Sequence, residues 1–215
     1  YVEAALVSNV SIAAQLVSLF ETRFDPAFPV ATSGVAGAEE NGRAAAEATI
    51  VTSITAGLES VASLDRDRII RAFLGVIEAM QRTNYYQRTG AGVDGEPAGD
   101  AAYKSYLSFK LDPLKVPDLP APRPMFEIWV YSPRFEGVHL RFGKVARGGI
   151  RWSDRREDFR TEVLGLVKAQ MVKNAVIVPT GSKGGFFAKA LPDPAVEREA
   201  WLAEGIASYK LFISG

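Results

Sequence analysis

The stretch "GGIRWSDRREDFRTEVLGLVKAQMVKNAVIVPTGSKGGFF", residues 148–187, decides the fold class. Its first seven residues read as a glycine turn leading into polar residues. Asp154 and Glu157 suit the start of a helix, and apolar residues recur at helical spacing to about Asn174. "AVIV", residues 175–178, is short and apolar, as a buried strand would be. "PTGSKGGFF" then reads as a glycine-rich loop, and a further helix is expected from about Asp193 to Phe212. Strand, helix, strand, loop and helix make an α/β arrangement.

Working backward, "MFEIWVY" and "VHLRF" flank the turn "SPRFEG" and predict a hairpin, so the sheet is expected to be mixed. "YKSYLSFKL" alternates like a strand, and "DPLKVPDLPAPRP", with five prolines, reads as extended connection. Residues 88–102 are rich in glycine and small side chains and read as a linker. Before them, three apolar stripes predict helices. Val2, Leu6, Ile12, Ala13, Leu16, Val17 and Phe20 form the first, which Asp25-Pro26 ends. Ile50, Val51, Ile54, Leu58 and Val61 form the second. Ile69, Ile70, Phe73, Val76, Ile77 and Met80 form the third, with Asp65 able to cap it. The expected organisation is a helical segment over 1–87, a linker over 88–102 and an α/β domain over 103–215.

Composition narrows the function. Hydrophobic residues make up 47% of 215, enough for a substantial core. Formal net charge is zero, which argues against a nucleic-acid binder. There is no cysteine and one histidine, His139, so neither a disulfide nor a histidine cluster for zinc can form. His139 reads as a structural residue of a strand. No apolar stretch predicts a membrane span and no targeting signal is visible, so a cytoplasmic setting is expected. The chain begins without methionine, and an excerpt of a longer protein is expected.

Candidate chemistry sits in three places. On the helix, Phe159, Val163, Leu166, Val167 and Met171 form the expected buried face. Gln170 lies about 40° from Leu166 and Lys173 about 20° from it, while Lys168 points away. A lysine on a buried stripe needs a partner. An anionic ligand would supply one, and so would the helix's own carboxyl end. In the loop, Lys183 follows Gly181-Ser182, and Gly184 and Gly185 come next. That spacing fits neither the phosphate loop nor the dinucleotide fingerprint. Lys183 is then either an exposed loop lysine or a shielded one; desolvation lowers a lysine's pKa and makes it useful as acid or base. Arg147 precedes Gly148 and Gly149, glycines that would admit a ligand to the backbone. The run Asp154, Arg155, Arg156, Glu157, Asp158 and Arg160 reads as a solvated helix start. Trp129, Tyr131 and Trp152 read as core or interface.

Taken together, Arg147-Gly148-Gly149, Gln170-x-x-Lys173 and Pro179-x-Gly181-x-Lys183-Gly184-Gly185 resemble the substrate domain of glutamate dehydrogenases. The wording is most similar to the large NAD-dependent bacterial class. The resemblance implies oxidative deamination of L-glutamate to 2-oxoglutarate and ammonia, with NAD as hydride acceptor. It implies that Lys183 is the catalytic lysine, that Gln170 and Lys173 hold the α-carboxylate and that Gly148 contacts substrate through its backbone. Arg147 stands where the shorter enzymes carry a lysine that grips the side-chain carboxylate. The resemblance also implies a homo-oligomer, and a catalytic aspartate and nucleotide-binding domain beyond Gly215, so that this stretch alone is expected to be inactive. Two rivals are another amino-acid dehydrogenase of the same superfamily and a non-catalytic oligomerisation module.

Overall fold

The computed structural model describes residues 1–28, 38–88, 103–144, 147–173 and 180–215. The chain divides into two compact units: Tyr1–Ala79 with Lys115–Asp118, and Met80–Leu114 with Leu119–Gly215.

The first unit is helical. Helices α1 (Val2–Val7), α2 (Val10–Phe24), α3 (Ala38–Leu58) and α4 (Leu64–Ala79) bury a common core of Ile12, Leu16, Leu19, Ile54, Leu58, Ile70, Leu74 and Ile77. The first stripe breaks between α1 and α2 at Ser8-Asn9, and Val17 faces outward. Helix α2 stops at Phe24 because Asp25, preceding Pro26, is extended. Ser63, rather than Asp65, meets the start of α4: its carbonyl accepts from the Asp67 amide and its hydroxyl from the Arg66 amide. Arg23 of α2 pairs with Glu47 of α3 at 2.7 Å.

The second unit, which begins at Met80, is α/β, the expected class. Six strands, β1 (Met80–Thr83), β2 (Leu107–Leu111), β3 (Phe126–Tyr131), β4 (Phe135–Arg141), β5 (Ile150–Ser153) and β6 (Ser182–Ala188), form one sheet in the order β1-β2-β3-β4-β6-β5. Every pairing is antiparallel except β5 with β6, so the sheet is mixed. The β3–β4 hairpin closes where the Ser132 amide donates to the Phe135 carbonyl. Helix α5 (Phe159–Lys173) links the parallel pair, and helix α6 (Arg198–Ser214) follows β6. Phe159, Val163, Leu164 and Val167 of α5 bury Val138 and Leu140 on one face of the sheet. Phe212 of α6 packs with Val130, Phe135, Phe186 and Ala188 on the other. Sheet residues alternate between the two faces, which accounts for both clusters from single strands.

Three expectations are corrected. Residues 150–153 form a strand, not the polar sequel of a turn, and Trp152 stacks on Trp201 with ring centroids 4.5 Å apart. Met80 leaves the third helix and opens the edge strand β1. The glycine-rich segment is the central strand β6 from Ser182 onward, not a loop. Its glycines answer to packing: a Cβ on Gly184 would lie 2.5 Å from Ile150 Cδ1, and one on Gly185 would lie 2.3 Å from Val163 Cγ2. The expected strand over 175–178 and the linker from 89 onward lie outside the described residues.

Gly185→Ala is therefore expected to destabilise the fold by about 1–3 kcal/mol through overpacking, although alanine is favoured over glycine in the unfolded-state balance. Thermal melting of Gly185→Ala and of Gly185→Ala with Val163→Ala checks this. The double variant should recover part of the loss, and an unchanged melting point in the single variant would refute the close approach.

Candidate functional site

The candidate site forms where β6 leaves the Gly181 turn and runs between β4 and β5. Leu140 of β4 faces Lys183 in register, and the parallel bridge Arg147–Gly181 extends the β5 side of the ladder. The Gly184 amide donates to the Gly149 carbonyl at 3.2 Å. Residues 147–149 thus lie flat along 181–184. A Cβ on Gly148 would fall 1.6 Å from the Ser182 carbonyl oxygen, so no side chain can occupy position 148 without moving one of the two backbones.

Lys183 shares its sheet face with Gly185 and Phe187, the face that α5 covers. Its Nζ lies 3.8 Å from where a Gly149 Cβ would be, so the amine rests above a residue with no side chain. Among the described residues no carboxylate forms an ion pair with it. It is half-buried, neither the freely exposed loop lysine nor a sealed one.

Gln170 closes the arrangement from the end of α5. Its Nε2 donates to the Arg147 carbonyl at 2.5 Å. Its Oε1 is buried, has no hydrogen-bond partner among the described residues and stands 3.3 Å from a Cβ position on Gly181. Five of the residues singled out in the sequence, Arg147, Gly148, Gln170, Gly181 and Lys183, therefore meet in one place. Lys173 is the last residue of α5; its side chain lies outside the description. The helix face differs from expectation. Leu164 is buried and Leu166 is 37% exposed, so the apolar row is turned toward Leu164. Gln170 sits at the edge of that row and reaches the site from there. Lys168 is exposed, as expected.

Two supporting contacts had no signal of their own in the sequence. Glu127 of β3 is 3% exposed and receives Arg160 of α5 through both carboxylate oxygens, at 2.7 and 2.6 Å. Arg160 thus leaves the solvated charge run to which it was assigned. Glu162 accepts from Ser153 at 2.5 Å and from Arg151 at 3.0 Å, tying α5 to β5. Both contacts lie on the Lys183 face and fix the helix that carries Gln170.

His139 lies on the opposite face, where its Cδ2 is 2.9 Å from a Cβ position on Gly184. Burial, and then the Arg141 guanidinium, pushes its imidazole below the ordinary 6.5. The unfolded chain takes up this proton first as pH falls. Stability contributed by neutral His139 is therefore complete above about 6.5 and declines as pH falls through that value and on through the lower native one. Melting points measured between pH 8 and 5 should show this decline, and His139→Gln should flatten it. An identical slope in both proteins would refute the assignment.

Among the described residues two cavities, of about 280 and 220 Å³, are lined by residues of β1, β2 and their flanks; Lys183 lines neither. Among the described residues no group of three metal-ligating side chains occurs, and no helix is long and apolar enough to cross a membrane.

Residues 53–215 match the family described as bacterial NAD-glutamate dehydrogenase, catalytic domain. The chain is 54% identical over 213 residues to an NAD-specific glutamate dehydrogenase of Halomonas elongata, a match that covers 99% of the chain. It is 50% identical to the proteins of that name from Mycobacterium tuberculosis and Pseudomonas aeruginosa, across its whole length. In each case it spans 12% of the relative's length.

Proposed function

Because this chain belongs to the bacterial NAD-glutamate dehydrogenase catalytic-domain family, we propose that it forms the amino-acid-binding part of an enzyme that oxidatively deaminates L-glutamate. The products are 2-oxoglutarate and ammonia, and NAD accepts the hydride. The observation that carries this reading is the placement of Lys183, its amine above Gly149 and without a carboxylate partner among the described residues, on the strand whose Gly181 end meets Arg147 and Gln170.

The residues take the following parts. Gly148 and Gly149 leave the backbone bare, so that a small dicarboxylate can lie against it. Lys183 moves a proton at the α-carbon step, where water adds and ammonia leaves. Lys173 and Gln170 hold the α-carboxylate end. Gln170 gives one Nε2 hydrogen to the Arg147 carbonyl, which fixes that backbone, and keeps the other for the carboxylate. Arg147 is exposed and presents a planar fork suited to the distal carboxylate. Among the described residues no glycine turn joins a strand to a helix: residues 154–158 and 189–197 contain none. In this reading this chain's share of the reaction is the amino acid. The working enzyme is cytoplasmic and a homo-oligomer in this reading.

The test is NADH formation by the full-length enzyme with L-glutamate, L-leucine and L-phenylalanine. Glutamate should be turned over at least about tenfold better, and residues 1–215 alone should yield no NADH. Preference for an apolar amino acid would overturn the assignment of Arg147.

A further inference from the structure

The two cavities lie at the other edge of the sheet from β6 and are unused by the reading above. The larger, of about 280 Å³, is lined by Arg82, Lys104 and Lys110 and by no carboxylate side chain. Arg82 and Lys110 are direct cross-strand partners in the β1–β2 ladder. Like charges placed opposite each other in this way destabilise a sheet unless something offsets them. Neither has an acidic partner among the described ion pairs. Lys110 rests its ammonium over the Phe126 ring, 4.0 Å from the centroid, a contact that brings no formal negative charge. Lys104 gives one donor to Gln87 at 2.7 Å and keeps two.

The smaller cavity, of about 220 Å³, shares Asn84 and Lys104 with the larger one and is otherwise walled by Tyr85, Tyr103, Tyr106 and Leu107. The Asn84 side chain is committed on both sides, accepting from the Ser108 amide at 2.7 Å and donating to the Tyr106 carbonyl at 3.1 Å. It therefore holds β1's end against β2 in the wall that both spaces share.

We propose that these adjoining cavities together bind a phosphate monoester that carries a flat ring. The phosphate lies among Arg82, Lys104 and Lys110, and the ring lies against the tyrosines. Cations without acidic partners supply charge-assisted contacts to the anion, and aromatic walls supply a stacking surface for the ring. Lys104, lining both spaces, sits at the junction.

The experiment is calorimetric titration of the full-length enzyme with phenyl phosphate, inorganic phosphate and phenol. Phenyl phosphate is expected to bind at one site per subunit, at least about tenfold tighter than either half. Arg82→Gln with Lys110→Gln should weaken it at least about tenfold, and Tyr85→Ser should weaken phenyl phosphate while leaving inorganic phosphate unchanged. Turnover of glutamate should stay at the wild-type value in all variants, and the melting point of the Arg82/Lys110 double variant should not fall, which separates this site from Lys183 and from misfolding. Equal affinity for inorganic phosphate and phenyl phosphate would overturn the ring half. Undiminished binding in the Arg82/Lys110 double variant, or no binding at all, would overturn the site.

Discussion

Lys183→Ala in the full-length enzyme is expected to lower kcat by about a hundred- to ten-thousand-fold, the span of general acid–base contributions, with the melting point unchanged. The backbone of β6 is paired on both sides, to β4 and to β5, so removing the side chain leaves the ladder intact. Lys183 also makes no described ion pair whose loss would cost stability. Lys183→Arg separates a chemical from a supporting role. Arginine restores bulk and charge but does not give up its proton, so kcat should stay low. Recovery of turnover in Lys183→Arg would show that charge alone is required, and near-wild-type turnover in Lys183→Ala would remove Lys183 from the reaction.

Arg160→Met is expected to destabilise the protein by about 3–5 kcal/mol. Glu127 is 3% exposed, and both its oxygens are taken by the Arg160 guanidinium. Truncating the arginine strands a buried carboxylate without a partner. Replacing both residues, Arg160→Met with Glu127→Leu, removes the charge as well and should return stability to near the wild-type value. Chemical denaturation of the two variants decides the point: equal losses in single and double variants would mean that the pair's packing, not its charge, matters. Because this contact anchors the first turn of α5, the single variant should also loosen Gln170 and raise KM for glutamate before global unfolding.

The two predictions draw on different layers of information. The motif containing Lys183 was legible in the sequence, since three short patterns at matching spacing point to one family. The Arg160–Glu127 pair was not. Thirty-three positions separate its partners, and Arg160 stands in a run of charges that has every local mark of a solvated helix start. Only the packing of α5 across β3 and β4 picks out one guanidinium from that run. The face of α5 shows the same limit. Leu164 and Leu166 are equally apolar, and periodicity alone does not say which turns inward, because the row depends on where the sheet lies.

The glycines show it most clearly. Gly181, Gly184 and Gly185 have the local composition of a loop, and local propensity assigns them to one. In the fold Gly184 and Gly185 are the interior of a central strand, required because Ile150, His139 and Val163 come too close for any Cβ.

By itself the sequence determined the helical first segment, the hairpin, the mixed α/β class and the family, because periodicity, turn residues and motif spacing are local properties that one chain carries openly. The tertiary structure alone decided which strand holds Lys183, what lies beneath its amine and which charges are buried, because burial and close approach are relations between residues that only meet once the chain has folded.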